Sequence, residues 1–381
     1  MSQTLRVVLC LDTKKTPLCP LSTAAAHMPV TNLATIGYLA RMKTLLAALL
    51  CGATLSLQAQ HQYDPLPDSL QSMLDKSFTI LQTNAINRDT VNWSRLKEQV
   101  YQKTVRAKSY QDLAAVYPYL FQQIGDPHGA LQLHGKSYAW QSARTPYSNQ
   151  AVRKAINAYP TVRVLTLGDE IGYILLPGNR DFTGKQINAD AQTIRDALHS
   201  VNTKRINKWI LDLRVNTGGS MYQMLAGLAD LLGEGKVGQF VNQHKQPDGA
   251  WIIKEGNIYL DAQPVSSVAH QPLGIPSEAP LAVLISGQTA SSGEIVAIAT
   301  VGRKQSVLIG EPSAGYTTAN QGFSLNAYAG LNLAVDYDAD RGGRIYTERV
   351  RPAIEVLGGD NFEQLEQDQK VQAALRWFGS R

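Results

Sequence analysis

The chain carries the segment Ser286-Gly-Gln-Thr-Ala-Ser-Ser-Gly-Glu294 between an apolar run, Leu281 to Ile285, and a small-residue run, Ile295 to Val301. The first run predicts a buried strand and the second a helix. A serine in this connection lies at a helix N-terminus, where free backbone N–H groups and the positive end of the helix dipole stabilise an anion. The segment therefore suits a nucleophilic serine, although Thr, Ser and Gly also cap ordinary helices.

A second strand-to-helix connection has the same character. The run Lys208-Trp-Ile-Leu-Asp-Leu213 predicts a buried strand, and it leads through Arg214-Val-Asn-Thr-Gly-Gly-Ser220 into a helical pattern from Met221 to Leu232. Paired glycines let the backbone approach a ligand closely and can turn an amide N–H outward, as an oxyanion hole requires. Strands that alternate with helices in this way predict an α/β core with crossover connections.

The N-terminal part reads as a small helical cap. Its apolar residues recur at helical spacing in three segments, Ser69 to Gln82, Val91 to Val105 and Tyr110 to Gln123, and Asp89 and Ser109 are the N-cap candidates. Further helices are predicted at Lys185 to Val201, Ser291 to Val301 and Phe362 to Phe378.

The chain divides into six predicted parts. They are a spurious or unrelated leader, a signal peptide, the helical cap, a linker that carries Asp126-Pro-His-Gly129, the α/β catalytic core and a C-terminal helix, at residues 1–41, 42–59, 62–125, 126–160, 161–358 and 360–381. After the signal peptide about 320 residues remain, enough for a sizeable core in one large or two unequal domains.

The segment from Met42 to Ala59 has a basic start, an apolar centre and a small residue at a plausible cleavage site, as an export signal does. Its apolar run is too short to span a bilayer comfortably. We therefore predict an exported protein, periplasmic or extracellular, without an integral membrane span after signal removal. Cys51 also raises the possibility of a lipoprotein, but Leu50 precedes it where a small residue is expected.

Composition excludes several classes of site. All three cysteines, at positions 10, 19 and 51, precede the predicted cleavage, so the mature chain would have no disulfide framework, thiolate metal site or cysteine nucleophile. Residues 1–59 carry a net charge of +4, which leaves +1 of the total of +5 for the rest. No basic patch indicates nucleic acid, and no His-Glu-x-x-His or calcium-loop pattern indicates a metal or another cofactor.

Five ordered segments resemble serine peptidase family S41, which contains the C-terminal processing (tail-specific) proteases and the tricorn core protease. They are Ile171-Gly-Tyr-Ile-Leu-Leu-Pro177, Leu211-Asp-Leu-Arg-Val-Asn-Thr-Gly-Gly219, Thr289-Ala-Ser-Ser-Gly-Glu294, Ile309-Gly-Glu-Pro-Ser-Ala-Gly315 and Val350-Arg-Pro-Ala-Ile354. The resemblance implies a crotonase/ClpP-like spiral of ββα units and an exported peptidase that acts on peptides or unfolded proteins. About forty residues separate His128 from Ile171, too few for the PDZ module that many members carry.

Family members use either a lysine or a histidine as the base. The lysine of the first type follows the glycine that matches Gly315, but Tyr316 stands there, and Lys304 lies at the wrong end of its strand. The segment Asp126-Pro-His-Gly129 resembles the one in which histidine-type, tricorn-like members carry their base. Since an imidazole titrates near neutrality, His128 is the predicted base.

The resemblance implies acyl transfer. Ser291 attacks a peptide carbonyl and His128 accepts and returns the proton, while backbone amides near Gly218, Gly219 and Ser292 hold the oxyanion. Ser292 is a rival nucleophile, but the family's nucleophile lies three residues before the motif glutamate, here Glu294, and this register selects Ser291.

The carboxylate that supports the base is a separate choice. Tricorn-like members use a glutamate just before the closing segment, and Glu348 is the only carboxylate close to that place, with a shorter spacing than the family's. The other possible partners are Asp126, Glu294 and Glu311, of which Asp126 is expected to support the histidine loop.

A non-catalytic ligand-binding or peptide-binding protein is the alternative, because the family's fold also serves as a carrier in the retinoid-binding relatives. Three departures from the family pattern favour it: Ala353 replaces the usual Asp, Ser313 the usual Thr, and Tyr316 the lysine. The sequence does not indicate the oligomeric state.

Overall fold

The computed structural model describes residues 65–140, 149–179, 181, 184–201, 204–276 and 278–380. One compact unit extends over Pro67–Arg381. The predicted leader, the predicted signal peptide and the three cysteines lie outside the described residues. No helix in the described ranges combines the length and apolar character that a membrane span requires.

The described residues form ten α-helices and fifteen strands. The helices are α1 Asp68–Asn84, α2 Trp93–Thr104, α3 Tyr110–Ala114, α4 Tyr117–Gln123, α5 Gln150–Ala158, α6 Ile187–His199, α7 Met221–Gly227, α8 Ala229–Leu232, α9 Ser292–Thr300 and α10 Gln369–Gly379. The strands are β1 Ala130–Leu133, β2 Lys136–Ala139, β3 Arg163–Leu167, β4 Ile171–Leu175, β5 Lys208–Asp212, β6 Gly235–Val241, β7 Pro247–Lys254, β8 Asn257–Leu260, β9 Gln263–Pro264, β10 Leu281–Ile285, β11 Ser306–Gly310, β12 Thr318–Ser324, β13 Ala329–Asp340, β14 Ile345–Tyr346 and β15 Ile354–Glu355.

A six-stranded sheet in the order β15-β11-β10-β5-β4-β3 confirms the predicted mixed α/β class. All neighbours in it are parallel except the antiparallel edge strand β3. Leu284 of β10 pairs with Asp212 of β5, so the two strands end side by side. Since parallel strands place the connections at their carboxyl ends on one edge, the two Gly- and Ser-rich bends are neighbours.

Both faces of this parallel sheet are covered. Trp209 and Leu211 of β5 face a core shared with α6, α7 and α9 and with strands of a second sheet, whereas Ile210 faces a core shared with α5 and α10. Burial on both faces explains why the strand sequences are continuous apolar runs. The ββα spiral that the resemblance implies stays a prediction.

The second sheet has nine strands and is antiparallel, and the sequence analysis did not predict it. Its order is β2-β1-β13-β6-β7-β8-β9, with β12 and β14 also paired to β13. Strands β1 and β2 and the helix α5 lie within residues 126–160, which the sequence analysis predicted to be a linker. This segment instead forms one end of the second sheet.

Two helix starts in the cap test the capping predictions. Asp89 was the wrong cap, because it lies in a short 3₁₀ turn; Asn92 caps α2 by accepting a hydrogen bond from Arg95 N at 3.1 Å. Ser109 is confirmed, since it forms a capping box with Asp112 at the start of α3.

Two predicted helices have different limits in the structure. The segment from Tyr110 to Gln123 forms two helices, because Pro118 occupies the first turn of a new helix, where its missing N–H is not needed. The C-terminal helix begins at Gln369 and not at Phe362. Its cap is Asp368, whose side chain accepts from two backbone N–H groups of the first turn.

Candidate active site

Ser291 lies at the sharp turn between β10 and α9. Its backbone has φ 53° and ψ −121°, a conformation that costs a residue other than glycine about 1–3 kcal/mol. Strain of this kind is the feature by which a strand-to-helix turn projects a nucleophile out of the chain. The half-buried Ser291 is the residue that the turn projects.

The two adjacent serines differ in what their hydroxyls contact. Ser292 Oγ donates a hydrogen bond to the carbonyl oxygen of Gly219 at 2.6 Å. Ser291 Oγ faces the N–H of Glu294 in a capping box at the start of α9, and its hydroxyl hydrogen has no acceptor among the described residues. Ser291 therefore has the available hydroxyl, in agreement with the register inferred from Glu294.

The glycine pair after β5 lies against this serine. Gly218 has φ 105°, and a Cβ there would lie 2.9 Å from the Ser291 Cβ. Gly219 has φ 120°, and a Cβ there would lie 2.3 Å from the carbonyl oxygen of Asn179. Both positions need glycine for conformation and for space.

The amides predicted for the oxyanion hole are not equivalent. Gly218 N–H donates to Asn216 Oδ1 at 3.0 Å, so it is already engaged. The N–H groups of Gly219 and Ser292 have no hydrogen-bond partner among the described residues. The candidate donors of an oxyanion hole beside Ser291 are therefore the N–H groups of Gly219 and Ser292.

Asn216 joins the two bends, a role that sequence reasoning missed. Its side chain is fully buried and accepts the Gly218 N–H, and its carbonyl oxygen accepts the N–H of Ala290 at 3.0 Å. The only signal for this role was its place in the Leu211 to Gly219 segment. A buried amide of this kind fixes the distance between the glycine pair and the serine turn.

Glu294 stabilises the serine turn through hydrogen bonds to its carboxylate. Its carboxylate is fully buried and accepts the N–H groups of Ser291 at 2.8 Å and Tyr316 at 2.7 Å on one oxygen. The other oxygen accepts the N–H of Gly315 at 2.8 Å and the hydroxyl of Ser313. Burial raises the pKa of Glu294 to about 7, and these four hydrogen bonds act in the opposite direction.

A second buried carboxyl group lies near Glu294. Asp338 on β13 is fully buried, and neither of its side-chain oxygens has a hydrogen-bond partner in the described part of the chain. Burial raises the pKa of Asp338 well above its usual value, and the charges of Glu294 and Asp336 raise it further. Burial without a hydrogen-bond partner therefore favours the protonated form of Asp338.

His128 lies on the loop between α4 and β1. Asp126 shapes this loop, as expected from the sequence: its buried carboxylate accepts the N–H groups of His128 at 2.9 Å and Gly129 at 2.7 Å, and also that of Ala334 at 3.0 Å. Asp126 therefore holds the backbone of this loop and does not contact the imidazole through a hydrogen bond. Burial raises its pKa, against the effect of the three hydrogen bonds.

The imidazole of His128 contacts residues that sequence reasoning did not assign. Its Nδ1 lies 3.0 Å from Thr318 Oγ1 at the start of β12, and its ring centroid lies 5.1 Å from that of Tyr316. Burial lowers the pKa of His128 to about 4, and a hydrogen bond with the backbone of Thr318 offsets part of the effect. The imidazole is therefore neutral at physiological pH.

Tyr316 links the predicted base to the predicted nucleophile. Its ring packs on His128, while its N–H and that of Ser291 share one oxygen of Glu294. No hydrogen bond joins His128 to Ser291 Oγ within the described residues. The structure thus links the two residues through Tyr316, without a hydrogen bond between their side chains.

The remaining candidates lie elsewhere. Glu348 has an exposed side chain, and its only described hydrogen bond is through its carbonyl oxygen, from Thr317 Oγ1 at 2.8 Å. Glu311 is buried and pairs with Lys370 at 3.3 Å. Lys304 pairs with the exposed Glu278, before the start of β11.

Comparison with known proteins relates part of this sequence to a known family. Residues 170–356 match the family model described as Peptidase family S41, a range that includes Ser291 and excludes His128. The nisin-resistance protein of Lactococcus lactis subsp. lactis is 27% identical over 285 residues, which are 74% of this chain and 81% of that protein. The chloroplastic carboxyl-terminal-processing peptidase 2 of Arabidopsis thaliana is 28% identical over 204 residues, but these cover only 36% of its length and 49% of this chain.

Two solved structures share the fold. A lipoprotein from Streptococcus agalactiae superposes with a TM-score of 0.63 at 21% identity, over 84% of this chain and 99% of that one. A putative peptidase from Parabacteroides merdae gives a TM-score of 0.52 at 14% identity, over 81% and 96%. The sequence match over residues 170–356, just under half of the chain, relates this part of the protein to Peptidase family S41.

Proposed function

We propose that the chain is an exported serine peptidase that hydrolyses peptide bonds through an acyl-enzyme on Ser291, with His128 as the base. One observation carries the proposal: in the strained turn the hydroxyl hydrogen of Ser291 has no acceptor among the described residues, while the hydroxyl of Ser292 donates to the carbonyl oxygen of Gly219. A serine kept in a costly backbone conformation, beside two free amides, has the arrangement that acyl transfer requires.

Each group has one role in the proposed reaction. Ser291 Oγ forms a bond to the substrate carbonyl carbon, and its proton passes to His128. The N–H groups of Gly219 and Ser292 hold the resulting oxyanion. The C–N bond then breaks as His128 returns the proton to the leaving amine, and water releases the acyl group by the same steps in reverse.

Two features support His128 as the base: its loop is fixed by Asp126, and its ring packs on Tyr316 beside the serine turn. Its lowered pKa keeps the imidazole neutral, and a base with a pKa of about 4 takes up a proton less readily than one with a pKa near neutrality. The absence of a hydrogen bond between His128 and Ser291 Oγ in the described residues is compatible with this role, because catalytic hydrogen bonds often tighten only when substrate is bound. No observed contact supports Glu348 as the carboxylate of this site.

The proposed substrates are peptides or unfolded proteins. The relatives include proteins named as carboxyl-terminal-processing proteases and a nisin-resistance protein, and all are consistent with a peptide substrate. Between His128 and Ile171 the described residues form β1, β2, α5 and β3, which supports a histidine-type member without a PDZ module.

Labelling with a fluorophosphonate tests the proposal, because the reagent traps an activated serine. The full chain should be modified on Ser291, and Ser291→Ala should lose both the label and the cleavage of an unfolded protein. Ser292→Ala keeps its backbone amide and should still be labelled on Ser291. An unmodified wild-type chain would exclude the peptidase and favour the non-catalytic binding protein.

A further inference from the structure

The orientation of the His128 imidazole is set by a side chain far away in the sequence. Thr318 Oγ1 lies 3.0 Å from Nδ1 of the ring, on the side that a supporting carboxylate occupies in a Ser-His-Asp triad. The hydrogen positions at this contact depend on the tautomer, so the neighbouring groups must decide which atom donates.

Asn320 fixes the direction of the hydrogen bonds. Its Nδ2 lies 3.0 Å from the carbonyl oxygen of His128, which only accepts, so this atom is the amide nitrogen. The Oδ1 of the same amide therefore faces Thr318 Oγ1, at 3.4 Å, and accepts the hydroxyl hydrogen.

A threonine hydroxyl has a single hydrogen. When that hydrogen points to Asn320, the oxygen offers a lone pair to His128 Nδ1. The imidazole must then carry its hydrogen on Nδ1, which leaves a lone pair on Nε2. This is the tautomer in which a histidine accepts a proton from a serine through Nε2.

The carboxylates named from the sequence do not compete for this position. Both carboxylate oxygens of Asp126 accept hydrogen bonds from backbone N–H groups, three in all, and the Glu348 side chain is exposed. The imidazole forms no ion pair within the described ranges; the groups that face it are the Thr318 hydroxyl, the Thr318 backbone and the Tyr316 ring.

We propose that Thr318, aligned by Asn320, is the positioning residue for His128 and selects the Nδ1–H tautomer, so that Nε2 is the atom that takes the Ser291 proton. The inference rests on the proposed function, but the tautomer itself does not. A neutral hydroxyl orients the ring and adds no negative charge beside it, in contrast to the Asp of a triad.

The first measurement is independent of activity. ¹⁵N NMR of the full chain labelled with ¹⁵N-histidine distinguishes a protonated from an unprotonated ring nitrogen, and the His128→Gln spectrum identifies the signal. At pH 7 we expect Nδ1 protonated and Nε2 unprotonated. The opposite tautomer would overturn the proposal even if Ser291 proves to be reactive.

The second measurement compares two substitutions at one position. Thr318→Val keeps the shape and the backbone and removes only the hydroxyl, so it should slow fluorophosphonate labelling of Ser291 by about 10- to 100-fold and weaken the tautomer preference. Thr318→Ser keeps the hydroxyl and should label within about threefold of the wild-type rate. Wild-type labelling by Thr318→Val would overturn the proposal.

The two measurements separate the failure of this inference from that of the proposed function. If wild-type Ser291 is not labelled, the peptidase proposal fails, and the tautomer of His128 still tests the role of Thr318. If Thr318→Val does not fold, the wild-type tautomer and the labelling of Thr318→Ser decide.

Discussion

Ser291 and Glu294 hold each other through reciprocal hydrogen bonds: Ser291 N–H donates to Glu294 Oε2 at 2.8 Å, and Glu294 N–H donates to the Ser291 carbonyl oxygen at 2.7 Å. The same carboxylate also accepts donors from the segment after β11. The strained serine turn is therefore fixed to two parts of the chain at once, which offsets the cost of its backbone conformation.

Glu294→Gln should destabilise the chain by about 2 to 3 kcal/mol and slow the labelling of Ser291. Each carboxylate oxygen faces two donors, so an amide NH₂ in either orientation would point at a backbone N–H and leave it unsatisfied. Urea unfolding gives the free energy. Glu363→Gln, at an exposed position, is the matched control and should unfold like the wild type. Equal stability of the two variants would contradict the bracing role.

Gly218→Ala should slow fluorophosphonate labelling by about 10- to 100-fold, because its Cβ would lie 2.9 Å from the Ser291 Cβ and displace the nucleophile. Gly233→Ala is the matched control: Gly233 also has a positive φ, of 83°, but nothing lies within 4 Å of the added Cβ. Both variants should lose stability through backbone strain, and only the first should lose reactivity. If both are labelled equally, Gly218 does not position the serine.

The parts of this structure that the sequence predicted depend on local patterns. Strand β10 is fully buried and β5 is buried after Lys208, so both have continuous apolar runs, and β10 has the predicted limits Leu281–Ile285. The two bends follow these strands directly. The parallel sheet therefore brings Gly219 and Ser292 together without any information beyond strand order.

The parts that were missed depend on tertiary contacts. Strand β13 carries Asp336, Asp338 and Asp340, a residue type depleted in strands, and its alternating burial is formed only when β12 and β6 pair with it. The contact between His128 and Thr318 joins positions 190 residues apart. No periodicity or local spacing reports a contact of that kind.

Asp338→Asn should stabilise the chain more at pH 7 than at pH 5. The pKa of Asp338 is raised in the folded state. The contribution of this carboxyl group to the free energy of unfolding is therefore fully present below the unfolded-state pKa. It is lost as the pH rises, because Asp338 then releases its proton in the unfolded chain before it does so in the folded chain. The amide does not ionise. The stability difference between variant and wild type should therefore grow as the pH rises from 5 to 7.

Urea unfolding at pH 5, 6 and 7 measures this difference. Asp340→Asn is the control on the same strand, since the Asp340 carboxylate accepts hydrogen bonds from Gly342 N, Arg344 N and the Tyr346 hydroxyl. It should lose stability at every pH. A pH-independent effect of Asp338→Asn would show that the carboxyl group is ionised in the folded chain.

Arg214→Met should destabilise the chain by about 3 to 5 kcal/mol. The buried guanidinium pairs with Asp212, Asp360 and Asp368, the last two at 2.6 Å, and its removal leaves buried carboxylates without their cation. These pairs hold the C-terminal segment against the end of β5. Thermal unfolding measures the effect.

The control for Arg214 is an exposed ion pair. Lys304 lies 2.6 Å from Glu278, and both side chains are largely in solvent, so Lys304→Ala should leave stability and labelling of Ser291 unchanged. A large loss of labelling in Lys304→Ala would restore a lysine as the base.

Labelling of Ser291 should be almost as fast at pH 5.5 as at pH 7.5. A base with the ordinary histidine pKa of about 6.5 would be only about one-tenth unprotonated at pH 5.5, but burial lowers the pKa of His128 to about 4, so its neutral form persists. Glu294, whose pKa is raised to about 7, titrates in the same window beside Ser291. His128→Gln separates the two groups, because any pH dependence that remains in this slow variant belongs to Glu294. If the His128-dependent rate at pH 5.5 is tenfold lower than at pH 7.5, the imidazole has an ordinary pKa in the reactive state and is therefore exposed to water there.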